Sequence, residues 1–134
     1  QPFKLKLKDI LEDSVDEKYY IKHYNKCLME TLKTNYINND VVYIDAYNRN
    51  IKNNNLAGTI TTRINASNTT FLAIKNKLVI IRKLTPKECW QLMGFTDEEF
   101  EKATKVNSNT QLYKQAGNSI VVNVLMAILE ELLK

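Results

Sequence analysis

Residues 82–95 read RKLTPKECWQLMGF, and this stretch defines the start, the buried face and the end of one helix. Thr85 and Glu88 have the spacing of a capping box, in which the threonine hydroxyl accepts from the Glu88 amide and the Glu88 carboxylate reaches back. Pro86 suits the first helical position because its missing N–H would have no partner there. Gly94 suits the left-handed position beyond a helix end. The stretch therefore predicts a helix that begins after Thr85 and stops near Gly94.

The same start signal recurs twice downstream. Thr96-Asp97-Glu98-Glu99 repeats the capping box, with Phe95 and Phe100 as a hydrophobic staple across it. Ser108-Asn109-Thr110-Gln111 predicts a third helix, which Gly117 is expected to end. Ser119 is then expected to open the longest helix, whose apolar residues are Val121, Val122, Val124, Leu125, Ile128, Leu129, Leu132 and Leu133. A helix so widely apolar needs cover on several sides.

Upstream of residue 82, short β-prone segments alternate with polar loops. The segments are an alternating extended stretch at Phe3–Lys8, a strand at Asp40–Asn48, a β-prone stretch at Ala57–Arg63, and a hairpin of Phe71–Ile74 with Leu78–Ile81. Residues Tyr19–Leu32 are predicted to form a helix, and the polar runs Asn48–Asn55 and Asn65–Thr70 are predicted to be loops. We therefore expect an α+β fold, with an irregular β-rich lobe over residues 1–84 and a helical segment over residues 85–134.

The composition excludes several classes of function for this chain. The chain has 134 residues, a formal charge of +4 and 44% hydrophobic residues, enough for one core without disulfides or metal. No apolar run approaches the roughly 18 residues of a membrane span, and no signal-peptide core is present. The chain has three glycines, none in a phosphate-cradling spacing, and this argues against a complete nucleotide-dependent enzyme in this chain alone. Because the sequence opens on Gln1, we expect a fragment or a processed end.

The sequence offers no catalytic or metal constellation of its own. Cys89 lies in the first turn of its helix near Lys87, but its place in a staple with Leu84 predicts apolar packing. Cys27 has no supporting motif, and His23 is expected to be a surface or packing residue. Two separated cysteines and one histidine also argue against a zinc site, and favour a reducing cytoplasmic setting.

Binding to nucleic acid is better supported than catalysis. Basic residues lie in and beside the asparagine-rich loops, namely Arg49, Lys52, Arg63, Lys75, Lys77, Arg82 and Lys83. Lysine and arginine neutralise phosphates, and asparagine and arginine can read adenine and guanine edges by paired hydrogen bonds. The alternative is that a low-GC genome enriches asparagine and that these loops are merely solvated. A charge of +4 does not decide between the two.

Two long motifs connect the chain to a known family. Residues 82–95 closely resemble the ninth sequence motif of DNA (cytosine-5)-methyltransferases, and residues 111–125, QLYKQAGNSIVVNVL, resemble their tenth. Residues 7–13, with Lys18-Tyr19-Tyr20, are similar to the passage from catalytic domain to target-recognition domain. Residues 58–63, GTITTR, resemble the Thr-Leu element of that recognition domain, with Ile60 in place of leucine.

The resemblance implies a carboxy-terminal portion of such an enzyme. The family's amino-terminal half carries the S-adenosyl-L-methionine loop and the Pro-Cys nucleophile motif, and neither stands here, so the chain alone is expected to be inactive. It would be an excised fragment or the small subunit of a split methyltransferase of the restriction-modification type. The expected partners are double-stranded DNA and the missing Rossmann-like catalytic domain or subunit beneath the last helix. Without that domain, the last helix is expected to self-associate or to pack back onto the β-rich lobe. The alternatives are a free-standing sequence-specific DNA-binding module and a scaffold that only docks on another protein through its last helix.

The resemblance also implies roles for individual residues. Thr59 should contact a phosphate near the flipped cytosine, and Thr61 and Arg63 should lie at the DNA surface. Loops 48–55 and 63–70, with Arg49 and Asn65, should read bases. Asn118, Ser119 and Ile120 should help to line the S-adenosyl-L-methionine pocket, since a helix start suits a carboxylate-bearing ligand; a plain cap is the alternative for Asn118 and Ser119. Arg82 and residues 85–94 should organise the recognition lobe.

Overall fold

In the computed structural model, the described residues are 6–24, 26–34, 39–46, 48–54, 56–60, 70–75 and 79–134. The strands are β1 (Val41–Asp45), β2 (Asn50–Lys52), β3 (Thr70–Lys75) and β4 (Val79–Arg82). The helices are α1 (Lys26–Thr34), α2 (Pro86–Leu92), α3 (Asp97–Thr104), α4 (Asn109–Asn118) and α5 (Val122–Leu132). The predicted α+β class is confirmed.

The four strands form one antiparallel sheet in the order β2-β1-β3-β4. Successive side chains of a strand point to opposite faces, and here both faces are apolar. On one face, Val41, Tyr43 and Leu72 pack against α2 and α4; on the other, Val42 and Ile44 pack beneath α1. The sheet therefore separates two apolar clusters. The first draws on residues from both sides of position 84, since it joins strand residues to Cys89, Trp90, Leu112 and Tyr113.

The amino-terminal segment, residues 6–24, runs along the free edge of β4. The Ile21 amide donates to the Ile81 carbonyl at 3.0 Å, and the Lys83 amide donates to the Tyr19 carbonyl at 2.9 Å. Leu7 and Ile10, farther upstream, are buried in the cluster beneath α2 and α4. This segment covers an otherwise unpaired strand edge and belongs to the core.

The segment, β4 and α2 meet at a buried ion pair. The Arg82 guanidinium donates to both carboxylate oxygens of Glu88, at 2.9 and 2.7 Å, and the two side chains are 1% and 0% exposed. Glu88 also accepts from the Thr85 amide at 2.9 Å and from the Glu12 amide at 3.0 Å. The Thr85 hydroxyl in turn donates to a Glu12 carboxylate oxygen at 2.5 Å. A buried carboxylate is tolerated only when such partners satisfy it.

The helix starts agree with the sequence prediction. Thr85 and Thr96 each form a complete capping box, and the Ser108 side chain accepts from the Gln111 amide. Gly94 has a φ of +89°, the left-handed conformation expected just beyond α2. Phe95 and Phe100 lie against the Trp90 ring, with centroid distances of 4.8 and 5.7 Å.

Helix α4 ends, and helix α5 begins, elsewhere than predicted. Gly117 does not end α4, which continues to Asn118 and has Ser119 as its C-cap. Ser119 does not open α5, because its backbone is extended and the N-cap is Val121, without a side-chain cap. The signals were misplaced because Ser119 bonds backwards onto α4: its amide donates to the Gln115 carbonyl at 3.1 Å and its hydroxyl to the Ala116 carbonyl at 2.9 Å.

Four upstream predictions were also wrong in part. The polar run 48–55 contains β2, because Ile51 is buried against the sheet and its neighbours pair with β1. The helix expected within 19–32 begins only at Lys26, since residues 19–21 pair with β4. Residues 57–60 are not in a strand, and residues 61–69 lie outside the described residues. Residues 7–9 form a short 3-10 turn, whereas residues 1–5 of the predicted extended stretch lie outside the described residues.

The β-hairpin is confirmed. Strands β3 and β4 pair antiparallel, with Ile74 opposite Ile80 and Ala73 opposite Ile81. The strand at 40–48 is also confirmed over its central part, Val41–Asp45. Residues 76–78, which connect the hairpin, lie outside the described residues.

One helical stretch, Asn109–Leu132, has the length and hydropathy to cross a membrane, with a mean hydropathy of 1.2. Its middle is not helical: Ser119 and Val121 have ψ values of 158° and 115°. The stretch is therefore two helices of 10 and 11 residues, each shorter than the roughly 20 residues that a span requires.

We predict that Arg82→Leu destabilises the chain by about 3–5 kcal/mol, because it leaves the Glu88 carboxylate buried without its counter-charge. The measurement is the free energy of unfolding by urea denaturation. Lys102→Leu is the control, since the Lys102–Glu98 pair is exposed and its loss should change little. Equal effects of the two substitutions would contradict the role given to the buried pair.

Candidate functional site

A cleft of about 500 Å³ lies where three parts of the chain meet. One wall is the segment 57–60, the second is the end of α2 at Leu92 and Met93, and the third is the α4–α5 connection. The third wall contributes Gly117, Ser119 and Val121. No single element forms the cleft, so its shape depends on how these elements are held together.

The segment wall is held from below by Ile60, which is buried in the cluster beneath α2 and α4. Thr59 beside it is exposed and lines the cleft. Gly58 passes close over the ring of Tyr43, a buried residue of β1. The sheet thus supports this wall directly, although the wall itself has no regular secondary structure.

The other two walls are fastened to each other. The Val122 amide, at the start of α5, donates to the Met93 carbonyl at 2.9 Å. A Cβ at Gly94 would lie 3.2 Å from the Val122 Cβ, so the chain turns closely around the helix start. Met93 is buried in the core. The position of the α4–α5 connection is therefore set by the end of α2.

The cleft brings together two residues that the sequence analysis placed in different sites. Thr59, expected at the DNA, and Ser119, expected at the cofactor, line the same cavity. Asn118 and Ile120 flank Ser119 and are exposed, and all three precede α5 instead of lying at its head. The Ser119 hydroxyl donates its proton to the Ala116 carbonyl. Toward a ligand, its oxygen can therefore act as a hydrogen-bond acceptor.

Arg49 lies apart from the cleft, in the turn between β1 and β2. Its φ is 52°, and its guanidinium forms a 3.0 Å ion pair with Glu30 of α1. The Asp45 carboxylate shapes the turn by accepting from the Asn48 amide and side chain at 3.1 and 2.7 Å. Thr61, Arg63 and Asn65 lie outside the described residues, so their predicted roles stay predictions.

Leu92, Met93 and Val121 were not among the predicted site residues. All three are apolar, and their sequence signal was that of core or helix packing. The position of Leu92 and Met93 just before the helix-ending Gly94 was the one available hint, because chain reversals place side chains beside other segments. Their contribution to the cleft follows from tertiary packing.

The surroundings of Cys89 agree with the structural role expected of this residue. Burial raises the pKa of the Cys89 thiol, and the nearby Glu88 carboxylate raises it further. Cys89 is therefore protonated at neutral pH and unsuited to nucleophilic attack. Cys27 is exposed. Among the described residues, no three His, Cys, Asp or Glu side chains are grouped to hold a metal ion.

Helix α5 leaves its apolar side chains uncovered. None of its residues is buried, and the exposed ones are Val124, Leu125, Met126, Ile128, Leu129 and Leu132, with exposed fractions from 42% to 74%. Of the two covers expected for this helix, packing back onto the β-rich lobe is not seen among the described residues, whereas self-association stays a prediction. A contiguous apolar surface of this kind marks an interaction site.

A comparison with known protein families identifies the family of this chain. The model of the C-5 cytosine-specific DNA methylase family matches residues 2–134, so the chain belongs to this family. No solved structure matches the chain.

Three relatives illustrate the extent of the similarity. Type II methyltransferase M2.ScrFI of Lactococcus lactis subsp. cremoris is 35% identical over 145 residues, which cover 100% of this chain and 35% of the relative. Type II methyltransferase M.Bsp6I of Bacillus sp. (strain RFL6) is 30% identical over 138 residues, covering 100% of this chain and 42% of the relative. Orphan methyltransferase M.Rho11sI of Bacillus phage rho11s is 65% identical over 54 residues, covering 40% and 11%. The chain thus spans well under half the length of each.

We predict that Cys27 and Cys89 differ sharply in thiol reactivity. With a chromogenic disulfide reagent at about pH 9, above the ordinary thiol pKa of roughly 8.5, Cys27 should react at once and Cys89 only after unfolding. The Cys27→Ser variant isolates the second thiol. Rapid labelling of native Cys27→Ser protein would show that Cys89 is accessible and ionisable, contrary to its burial.

Proposed function

We propose that this chain is the carboxy-terminal, target-recognition portion of a DNA (cytosine-5)-methyltransferase. The observation that carries the proposal is the cleft in which Thr59 and Ser119 face a common space. In the whole enzyme, this cleft would lie between the duplex and the methyl donor, S-adenosyl-L-methionine. The mode of action would be to position a flipped cytosine beside the donor while the rest of the enzyme supplies the nucleophile.

The two parts of the chain would divide this work. Residues 1–84 would hold the DNA, with Thr59 at a phosphate, Thr61 and Arg63 at the DNA surface, and Arg49 and Asn65 in loops that read bases. Residues 85–134 would complete the cofactor pocket through Asn118, Ser119 and Ile120. The two parts would differ in function without being separate in structure, because one apolar cluster contains residues of both parts.

The chemistry of the two ligands suits these residues. A threonine hydroxyl donates readily to a phosphate oxygen, and such contacts set the register of a protein on DNA. The Ser119 oxygen can accept from an amino or hydroxyl group of the donor. The donor would supply the methyl group, and these residues would bind and orient it.

Helix α5 would dock on the catalytic part of the enzyme. Its exposed apolar side chains need cover, and the full-length relatives extend well beyond the matched region. We place the assembled enzyme in the cytoplasm, where duplex DNA and reduced thiols coexist. Because this sequence has no Pro-Cys motif, methyl transfer would require the catalytic part.

The test is reconstitution of activity. The chain is mixed with the portion of M2.ScrFI that lies outside the matched region, and transfer of labelled methyl groups from S-adenosyl-L-methionine to duplex cytosine C5 is measured. We expect transfer only when both parts are present. Thr59→Ala should weaken duplex binding and reduce transfer by about tenfold, as loss of a phosphate contact near the reacting base does. Thr104→Ala, an exposed threonine of α3, is the matched control.

If the mixture of the two folded parts methylates no duplex, the proposal is wrong. Duplex binding by the chain alone, falling steeply with added salt and without any methyl transfer on reconstitution, would instead identify a free-standing DNA-binding module.

We predict a separate effect for the α5 surface. The double substitution Leu125→Gln and Leu129→Gln should abolish reconstitution and leave the melting temperature of the chain nearly unchanged, because both side chains are 42% exposed. Val106→Gln is the control, since Val106 is an exposed apolar residue outside α5. Undiminished association of the double variant with the catalytic part would contradict a docking role for α5.

A further inference from the structure

We infer that Gly58, through its close approach to Tyr43, is a positioning residue that sets where Thr59 stands in the cleft; this inference rests on the proposed function of Thr59 as a DNA contact. Gly58 has no side chain, and Tyr43 is not among the residues that line the cleft. Their role is geometric, and it follows from the absence of a side chain at position 58.

The space at Gly58 is closed on the side of the sheet. A Cβ at this position would lie 2.5 Å from the Tyr43 Cε1 and 3.2 Å from its Cδ1 and Cζ. Real carbon atoms do not approach so closely, so either the ring or the segment would have to move. The requirement is purely steric, because the φ of Gly58 is not in the left-handed region.

The ring is the less movable of the two. Tyr43 is 1% exposed and lies at the centre of β1, opposite Lys52 on one side and Leu72 on the other. It belongs to the close-packed cluster that also contains Leu84 and Trp90. A displaced ring would have to displace this cluster, because protein interiors leave no room for such a shift.

The segment would therefore move. Residues 56–60 have no regular secondary structure, and Ile60 holds them at one end by its burial. A lift at position 58 acts directly on Thr59, which faces the cleft and is joined to Gly58 by one peptide bond. A displacement of about 1 Å at a positioning group can reduce activity about a hundredfold. Gly58 thus couples the buried sheet to the exposed wall.

The test is a size-exchange experiment. Gly58→Ala should weaken duplex binding and, in the reconstituted enzyme, raise the KM for DNA by about tenfold with little change in the KM for S-adenosyl-L-methionine. Combining Gly58→Ala with Tyr43→Leu removes the ring that the new Cβ would meet. The double variant should recover duplex binding and melt at a higher temperature than Gly58→Ala. Tyr43→Leu alone is the control for the cavity that it leaves.

The outcomes separate the inference from the proposed function. If wild-type protein and Thr59→Ala bind duplex equally, the role of Thr59 fails, while the melting temperatures still test the steric conflict. If Gly58→Ala binds duplex as tightly as wild type, the inference is wrong. The inference is also wrong if the double variant neither regains duplex binding nor melts at a higher temperature than the Gly58→Ala variant.

Discussion

The ion pair between Arg82 and Glu88 is the constraint on which the rest of the structure depends. A buried carboxylate is stable only when its charge and its lone pairs are met, and here the partners come from three places. Arg82 belongs to the last strand, the Thr85 amide to the start of α2, and the Glu12 amide to the amino-terminal segment. The hydrogen bonds of one carboxylate therefore tie these three elements together. The end of α2 is placed by the same constraint, and with it the start of α5.

The cleft is a consequence of that arrangement. Its three walls come from an irregular segment above the sheet, the end of α2 and the α4–α5 connection. The Val122–Met93 hydrogen bond fastens two of these walls, and the approach of Gly58 to Tyr43 sets the third against the sheet. A site built this way combines exposed polar residues with a rigid base, which suits the recognition of a large ligand. Under the proposed function, the exposed surface of α5 would let the catalytic part of the enzyme complete this site.

The local features were predictable from the sequence because they rest on contacts between near neighbours. Both capping boxes and the Gly94 helix end involve residues within a few positions of each other, so their spacing is visible in the chain itself. The β3–β4 hairpin is of the same kind. The sequence also carried the family membership, because two long motifs stand in the family's order. Ser119 shows the limit of such signals, since its hydroxyl could serve either neighbouring helix and bonds to the preceding one.

Only the tertiary structure decided which distant residues meet. Ile51 is the one apolar residue in a polar run, and its burial beside β1 depends on strand pairing that no local pattern specifies. The convergence of Thr59 and Ser119 on one cleft, and the closeness of Gly58 to Tyr43, likewise depend on packing across the chain. By itself, the sequence determined the helix signals, the fold class and the family. The tertiary structure determined the cleft, because its walls are separated by tens of residues and only the shared core brings them together.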